Sequence, residues 1–228
     1  MKVVPVPVRD DNYAYLLIDD STNEAAVVDP FDMTKVQAAA DKEGVKIVAN
    51  LTTHHHFDHS GGNEASSYPD APIYGGSTRG AADKVVKDTD VFSISEQLNV
   101  NPAPSLRGIR FFLGGCGRFF EGNASDMHQA LSYLGSLPDS TVVYNGHEYT
   151  KNNLAFIERI EPHSPGVLRL RELVRNAVTT GKSTIADEKE WNVFMRLSSK
   201  EVLNTIGANL DADAASIMDT LRTMKNKM

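Results

Sequence analysis

Apolar residues in the first third of the chain fall in short runs separated by turn residues, which predicts strands. Val3 to Val8 is β-branched and interrupted by Pro5 and Pro7, a pattern suited to an edge strand. Tyr13 to Ile18 and Ala25 to Val28 read as two more strands, joined by the turn-forming run Asp19-Asp20-Ser21-Thr22-Asn23. Asp29-Pro30 stops the third. Met33 to Glu43 has helical composition, with Val36 and Ala40 at i, i+4 and Gly44 as its stop. Val45 to Leu51 is nearly all apolar, as expected of a strand buried on both faces.

The signals then weaken. Gly61-Gly62-Asn63-Glu64-Ala65 leads into a short helix closed by Pro69, and Ile73-Tyr74 and Val91 to Ile94 are faint strands. Asn99 to Gly108 reads as loop. Phe111-Phe112-Leu113 is an apolar burst before Gly114-Gly115-Cys116-Gly117. Ser125 to Leu137 reads as a helix, with Ser125 as N-cap and Asp126 in its first turn. Thr141 to Tyr144 is a strand, and Asn145-Gly146-His147 turns off its end. From Thr150 onward strand signals nearly vanish. Leu154, Ile157 and Ile160, then Leu168 to Ala177, Val202 to Ile206 and Ala214 to Met224, carry apolar residues at helical spacing. The division expected is 1–149, strands and helices, and 150–228, helical.

Composition narrows the function classes. A hydrophobic content of 41% with 23% charged residues is that of a globular protein. A net charge of -7 disfavours a nucleic-acid partner, and an anionic ligand requires a local basic cluster. The single cysteine, Cys116, excludes an intrachain disulfide framework. No apolar run approaches the roughly 20 residues that span a bilayer. The N-terminus has neither a signal-peptide pattern nor an Arg-rich presequence, so a cytosolic location is the expectation.

The most informative stretch is Thr53-His54-His55-His56-Phe57-Asp58-His59, which holds four of the seven histidines. It leaves a buried strand and precedes a glycine pair that allows close backbone approach. Imidazoles with a carboxylate suit zinc and other first-row dications. In an extended segment alternate side chains share a face, so His54, His56 and Asp58 are expected to project together, with His59 turning away.

This run matches the His-x-His-x-Asp-His signature of the metallo-β-lactamase superfamily, and the chain resembles the glyoxalase II (hydroxyacylglutathione hydrolase) family. The matching pieces are Thr53 to Gly62, Gly114 to Gly122, Gly146 to Thr150, and Phe194-Met195-Arg196. The resemblance implies an α/β fold, a metallo-β-lactamase-like αββα sandwich, incomplete here, with a small C-terminal helical domain for glutathione recognition. It implies a metal-dependent thioesterase that hydrolyses S-(2-hydroxyacyl)glutathione in methylglyoxal detoxification. It also implies up to two zinc sites, with iron or manganese able to substitute, in a monomer without membrane or nucleic-acid partners. His54 and His56 would hold the first metal. Asp58, His59 and His147 would hold the second, with Asp58 also orienting the attacking water. Arg118, Phe120 and Tyr149 would contact glutathione, and Arg222 and Lys225, three apart on the last helix, its glycine carboxylate. His55 is expected to pack or hydrogen-bond, His128 and His163 to lie at the surface, and Cys116 to pack rather than react.

The chain departs from the family in one interval. The Pro-Gly-His-Thr element and the Gly-Asp-Thr-Leu-Phe element, which supply a histidine and a bridging aspartate, have no counterpart. Ile109 stands at the aspartate's position, and about two strands' worth of chain is missing between Ile94 and Gly108. An incomplete gene model, a degenerate paralogue, or a variant with substitute ligands would each account for this. Two alternatives to the hydrolase follow: an impaired glutathione-thioester-binding relative, and a one-iron persulfide dioxygenase on the same fold.

Overall fold

The structure is a computed structural model that describes residues 1–63, 70–87, 90–96, 98–100, 111–120, 122–209 and 211–228. It divides into two compact units, Met1–Gly108 and Ile109–Met228. The expected helix closed by Pro69 and most of the expected 99–108 loop lie outside the described residues.

The first unit is built on a six-stranded sheet in sequential order: β1 (Lys2–Pro7), β2 (Tyr13–Asp19), β3 (Glu24–Val28), β4 (Lys46–Thr52), β5 (Ile73–Gly75) and β6 (Lys84–Val85). The first three strands are antiparallel, and the last three continue parallel to β3. The parallel step from β3 to β4 needs a crossover, which α1 (Met33–Glu43) provides. Its N-cap Asp32 accepts a hydrogen bond from the Lys35 amide, and Gly44 ends it in the left-handed conformation. Val36 and Ala40 bury against Val6, Leu16, Val27 and Ile47. Each large aliphatic side chain so buried contributes about 1.5–3 kcal/mol. β1 lies at the sheet edge with Pro5 and Pro7 exposed and Val6 buried, where a missing N–H disturbs no inner ladder. β4 changes face at a register shift opposite Ala25 and Ala26: Ile47 joins the α1 side, and Ala49 packs with Ala26 and Leu98 on the other. Asn99–Val100 (β8) pairs with Phe92–Ser93 (β7), so the start of the expected loop is a short hairpin.

The second unit begins with the hairpin β9 (Phe111–Phe112) and β10 (Gly115–Cys116) and the helix α3 (Ala124–Ser136). Asn123, not Ser125, is the N-cap. Its side chain accepts from the Ser125 and Asp126 amides, and Asp126 reaches back to the Asn123 amide. The two-sided box outcompetes a serine two residues later. β11 (Val142–Val143) pairs with β12 (Ser183–Thr184), a strand too short and polar to show in the sequence. The helices are α4 (Thr150–Ile160), α5 (Pro165–Leu173), α6 (Ile185–Trp191), α7 (Lys200–Ile206) and α8 (Ala214–Asn226). α5 stops at Leu173, short of the expected Ala177. Leu113, Cys116, Met127 and Leu131 share one core with Phe156, Ile157, Leu170, Phe194, Met218 and Leu221. Packing therefore joins residues before 150 to the helices that follow, although the composition changes there.

Two buried carboxylates brace this unit. Glu161 pairs with Arg196 at 2.8 Å and also accepts from Ser199. Glu188 is fully buried and accepts from the Gly114 amide, the Trp191 indole and the Asn192 amide. Burial, only partly offset by those donors, pushes Glu188 up to about 7. Between the usual 4.5 and about 7 the folded chain keeps a proton that the unfolded chain has released. Its stabilising share is thus full below 4.5 and gone by about 7, a fall of about 3 kcal/mol. Urea unfolding across that window should show this fall in the wild type and its absence in Glu188→Gln. Parallel curves for the two proteins would contradict it.

Candidate metal centre and substrate pocket

β4 delivers the histidine run at its C-terminal end. His54 to His56 are extended, but Phe57–Ser60 closes into one helical turn, α2, with the His59 and Ser60 amides bonded to the His56 carbonyl. Asp58 is therefore set by a helical turn and not by strand alternation, which corrects the expectation that His54, His56 and Asp58 project as one extended face. The turn needs close packing behind it. A Cβ on Gly62 would stand 1.6 Å from the Pro30 carbonyl oxygen, so only glycine fits.

Within the first unit the imidazoles converge. The ring of His54 lies 4.1 Å from that of His59 and 4.9 Å from that of His56. His59 is 3% exposed, and its Nε2 is 3.7 Å from an Asp58 oxygen. The residue that organises them is Asp29, which stands at the end of β3 with φ +51°. It accepts from the Thr53 amide at 2.8 Å, from the Thr53 hydroxyl at 2.7 Å and from His59 Nδ1 at 2.8 Å. Burial raises the Asp29 carboxyl, but the His59 imidazole and the Thr53 donors outweigh it and hold the group below the usual carboxylate range. With its hydroxyl proton given to Asp29, Thr53 receives Nδ1–H of His54 at 3.0 Å. Both His54 and His59 are thereby fixed with the proton on Nδ1 and the lone pair on Nε2.

The donor set fits a divalent cation. Ligand atoms of Asp29, His54 and His59 all lie within 4.8 Å of one another. Asp29 is saturated by hydrogen bonds and acts as the orienting carboxylate behind a histidine, a standard partner of metal-ligating imidazoles. Nε2 of His59 and the Asp58 carboxylate have the spacing of two atoms that each approach one ion to about 2.0–2.2 Å. Sequence reasoning read Asp29 only as a strand stop. Its one visible signal was an acidic residue before proline, directly after an apolar strand.

The second unit carries the other expected residues. His147 is buried, stacks on Tyr149 at 4.8 Å and meets the edge of Phe112. Its carbonyl accepts from Asn145 Nδ2, and Glu148 accepts from the amide and hydroxyl of Thr179, so the 145–150 turn is tied down on both sides. Arg118, Phe120 and Arg222 line one pocket with Asn226. Arg118 and Phe120 are exposed, while Arg222 is 6% exposed and donates to the Cys116 carbonyl at 2.7 Å. Lys225 turns instead toward Asn153, to which it donates, and burial with the neighbouring Arg222 charge lowers it to about 8. Cys116 is buried, and desolvation pushes its thiol up to about 11, which suits packing and not nucleophilic attack. His163 is exposed and His128 half-buried.

Two family models match the chain. One described as hydroxyacylglutathione hydrolase C-terminus matches residues 148–228, and one for the metallo-beta-lactamase superfamily matches residues 8–67. The chain is 38% identical to an Arabidopsis thaliana protein named cytoplasmic hydroxyacylglutathione hydrolase, covering 100% of this chain and 98% of the relative. It belongs to the hydroxyacylglutathione hydrolase family. A Chromohalobacter salexigens member, named hydroxyacylglutathione hydrolase, is 36% identical over 100% of this chain and 99% of its own. The Arabidopsis alignment runs over 260 positions although this chain has 228 residues, so that member carries residues with no counterpart here. Among solved structures, ETHE1 from Myxococcus xanthus superposes with a TM-score of 0.63 at 21% identity, covering 99% of this chain and 98% of its own. The BLEG-1 B3 metallo-beta-lactamase does so with 0.59 at 19%, covering 85% and 99%. These likenesses establish the metallo-β-lactamase fold. The superfamily is one of divalent-metal binders, and the imidazole–carboxylate cluster of this member has the matching chemistry.

If Asp29 orients His59, Asp29→Asn should weaken zinc retention by about 10- to 100-fold, because asparagine keeps the left-handed backbone but not the charge. Competition against a chelating dye measures this. Wild-type retention in the variant would remove Asp29 from the centre.

Proposed function

We propose that this family member hydrolyses S-(2-hydroxyacyl)glutathione, such as S-lactoylglutathione, to glutathione and a 2-hydroxy acid in methylglyoxal detoxification. The observation that carries the reading is end-to-end similarity to hydroxyacylglutathione hydrolases at 36–38% identity. That similarity also disfavours a non-catalytic glutathione-thioester binder. The likeness to solved structures concerns fold alone and favours no alternative chemistry.

In this reading zinc is the cation. Asp58, His59 and His147 form the better-furnished ligand set, that of the second metal, and His54 and His56 contribute to the first, which lacks the family's remaining ligands. A bound dication would supply Lewis acidity and bring the pKa of its water down to about 7. Asp58 holds and orients the water. Asp29 keeps His59 in the tautomer that presents Nε2. Arg118 and Arg222 meet the carboxylates of glutathione in a chain of net charge -7, with Phe120 and Tyr149 against its backbone. The C-terminal family match starts at residue 148, and Arg118 and Phe120 precede it within the same unit. No helix among the described residues is long and apolar enough to cross a membrane. A cytoplasmic, monomeric enzyme is the form proposed.

The test is thioester hydrolysis with metal quantification on this chain, beside a version carrying the missing interval. The reading expects at least one tightly bound transition metal and turnover that chelators abolish. Metal-free protein that binds glutathione thioester without cleaving it would overturn it. Exchanging Arg222 and Lys225 for alanine should raise KM for the glutathione thioester more than it lowers kcat. An unchanged KM would exclude the pair from glutathione recognition.

A further inference from the structure

Leu113 to Cys116, the turn after β9 together with β10, leads directly to Arg118 and Phe120. Its four residues are each held by a side chain from elsewhere in the second unit. Asn153 on α4 donates to the Leu113 carbonyl at 2.9 Å. The Gly114 amide donates to Glu188 on α6 at 2.9 Å. Asn192 donates to the Gly115 carbonyl at 3.3 Å and to Glu188 at 3.0 Å. Arg222 on α8 donates to the Cys116 carbonyl at 2.7 Å. The turn is pressed so closely onto its holders that a Cβ on Gly115 would stand 2.8 Å from Lys225 Nζ and 2.9 Å from Asn153 Nδ2.

Glu188 differs from the other holders in kind. Its three donors, Gly114 N–H, the Trp191 indole and the Asn192 amide, are all neutral. Among the described residues no cation pairs with it, in contrast to Glu161 with Arg196. A fully buried carboxylate without a counter-charge is a poor source of stability. An apolar side chain of similar size would suit the core around Leu113 and Trp191 better. What an apolar residue could not do is accept the Gly114 N–H and hold Asn192 against Gly115.

We infer that Glu188 is a positioning residue for glutathione recognition: through the Gly114 amide and Asn192 it sets the turn that aims Arg118 and Phe120 into the pocket lined by Arg222. The inference rests on the hydrolase reading. It assigns Glu188 to the thiol half of the substrate and not to the scissile bond, since Glu188 touches neither.

Glu188→Gln keeps the size of the side chain but turns an amide toward a ring of donors, and Glu188→Asp keeps the charge while shortening the reach. Kinetics are measured on two thioesters of one hydroxy acid, made with glutathione and with a small neutral thiol, alongside zinc content and glutathione affinity by calorimetry. Glu188→Gln should raise KM for the glutathione thioester by about tenfold while kcat changes by less than about twofold. Glutathione affinity should fall by a similar factor, and kcat/KM on the neutral thioester and zinc content should hold. Glu188→Asp should recover part of the loss, and it carries the same KM-against-kcat comparison if the glutamine variant does not fold. Equal losses on both thioesters, or unchanged glutathione affinity, would overturn the inference and leave the hydrolase reading intact. Wild-type chain that cleaves neither thioester and binds no glutathione would overturn both.

Discussion

One buried carboxylate governs the chemistry of the first unit. Asp29 spends its two oxygens on Thr53 and His59, residues 24 and 30 positions further along the chain. Through the Thr53 hydroxyl it also reaches His54. A single anion, kept ionised by the donors around it, therefore decides the tautomer of two imidazoles whose rings are 4.1 Å apart. Without that constraint a histidine can offer either nitrogen, and a cluster of histidines is merely polar. With it, the run at the end of β4 becomes a donor set with defined lone pairs. The sheet serves this arrangement. Asp29 follows directly on β3 and Thr53 directly on parallel β4, and the two strand ends lie side by side because α1 makes the crossover between them.

The second unit solves a different problem with similar means. Here a glycine turn must hold its shape beside the pocket proposed for glutathione, in a chain whose overall charge is negative. The turn is gripped through its backbone by Asn153, Glu188, Asn192 and Arg222. Arg222 performs two tasks at once, bracing the Cys116 carbonyl and lining the pocket beside Arg118. Lys225 shows how the basic pair divides. Three residues from Arg222 on the same helix, it faces Asn153 and the turn.

Much of this was legible in the sequence because it is encoded locally. Alternation and turn residues placed β1 to β4, and Val36, Ala40 and Gly44 placed α1 to the residue. The histidine run announced a metal site through composition alone, and the family resemblance supplied the hydrolase. What stayed hidden depends on contacts distant in sequence or on weak local signals. Asp29 looks like punctuation because its partners are strands away. Glu188 sits in Ala186-Asp187-Glu188-Lys189-Glu190, a stretch that reads as a solvated helix face, and only the fold shows it to be buried. β12 consists of a serine and a threonine and pairs only because β11 lies beside it. Asp58 departs from the alternation expected of an extended run because α2 begins at Phe57.

The account stands or falls on imidazoles presenting Nε2 to a cation. Zinc-edge X-ray absorption on the purified chain carrying one equivalent of zinc tests this most directly. The account predicts the multiple-scattering signature of histidine ligands, with nitrogen and oxygen at about 2.0–2.2 Å and no sulfur. A spectrum without imidazole, or one with sulfur at about 2.3 Å from Cys116, would contradict it.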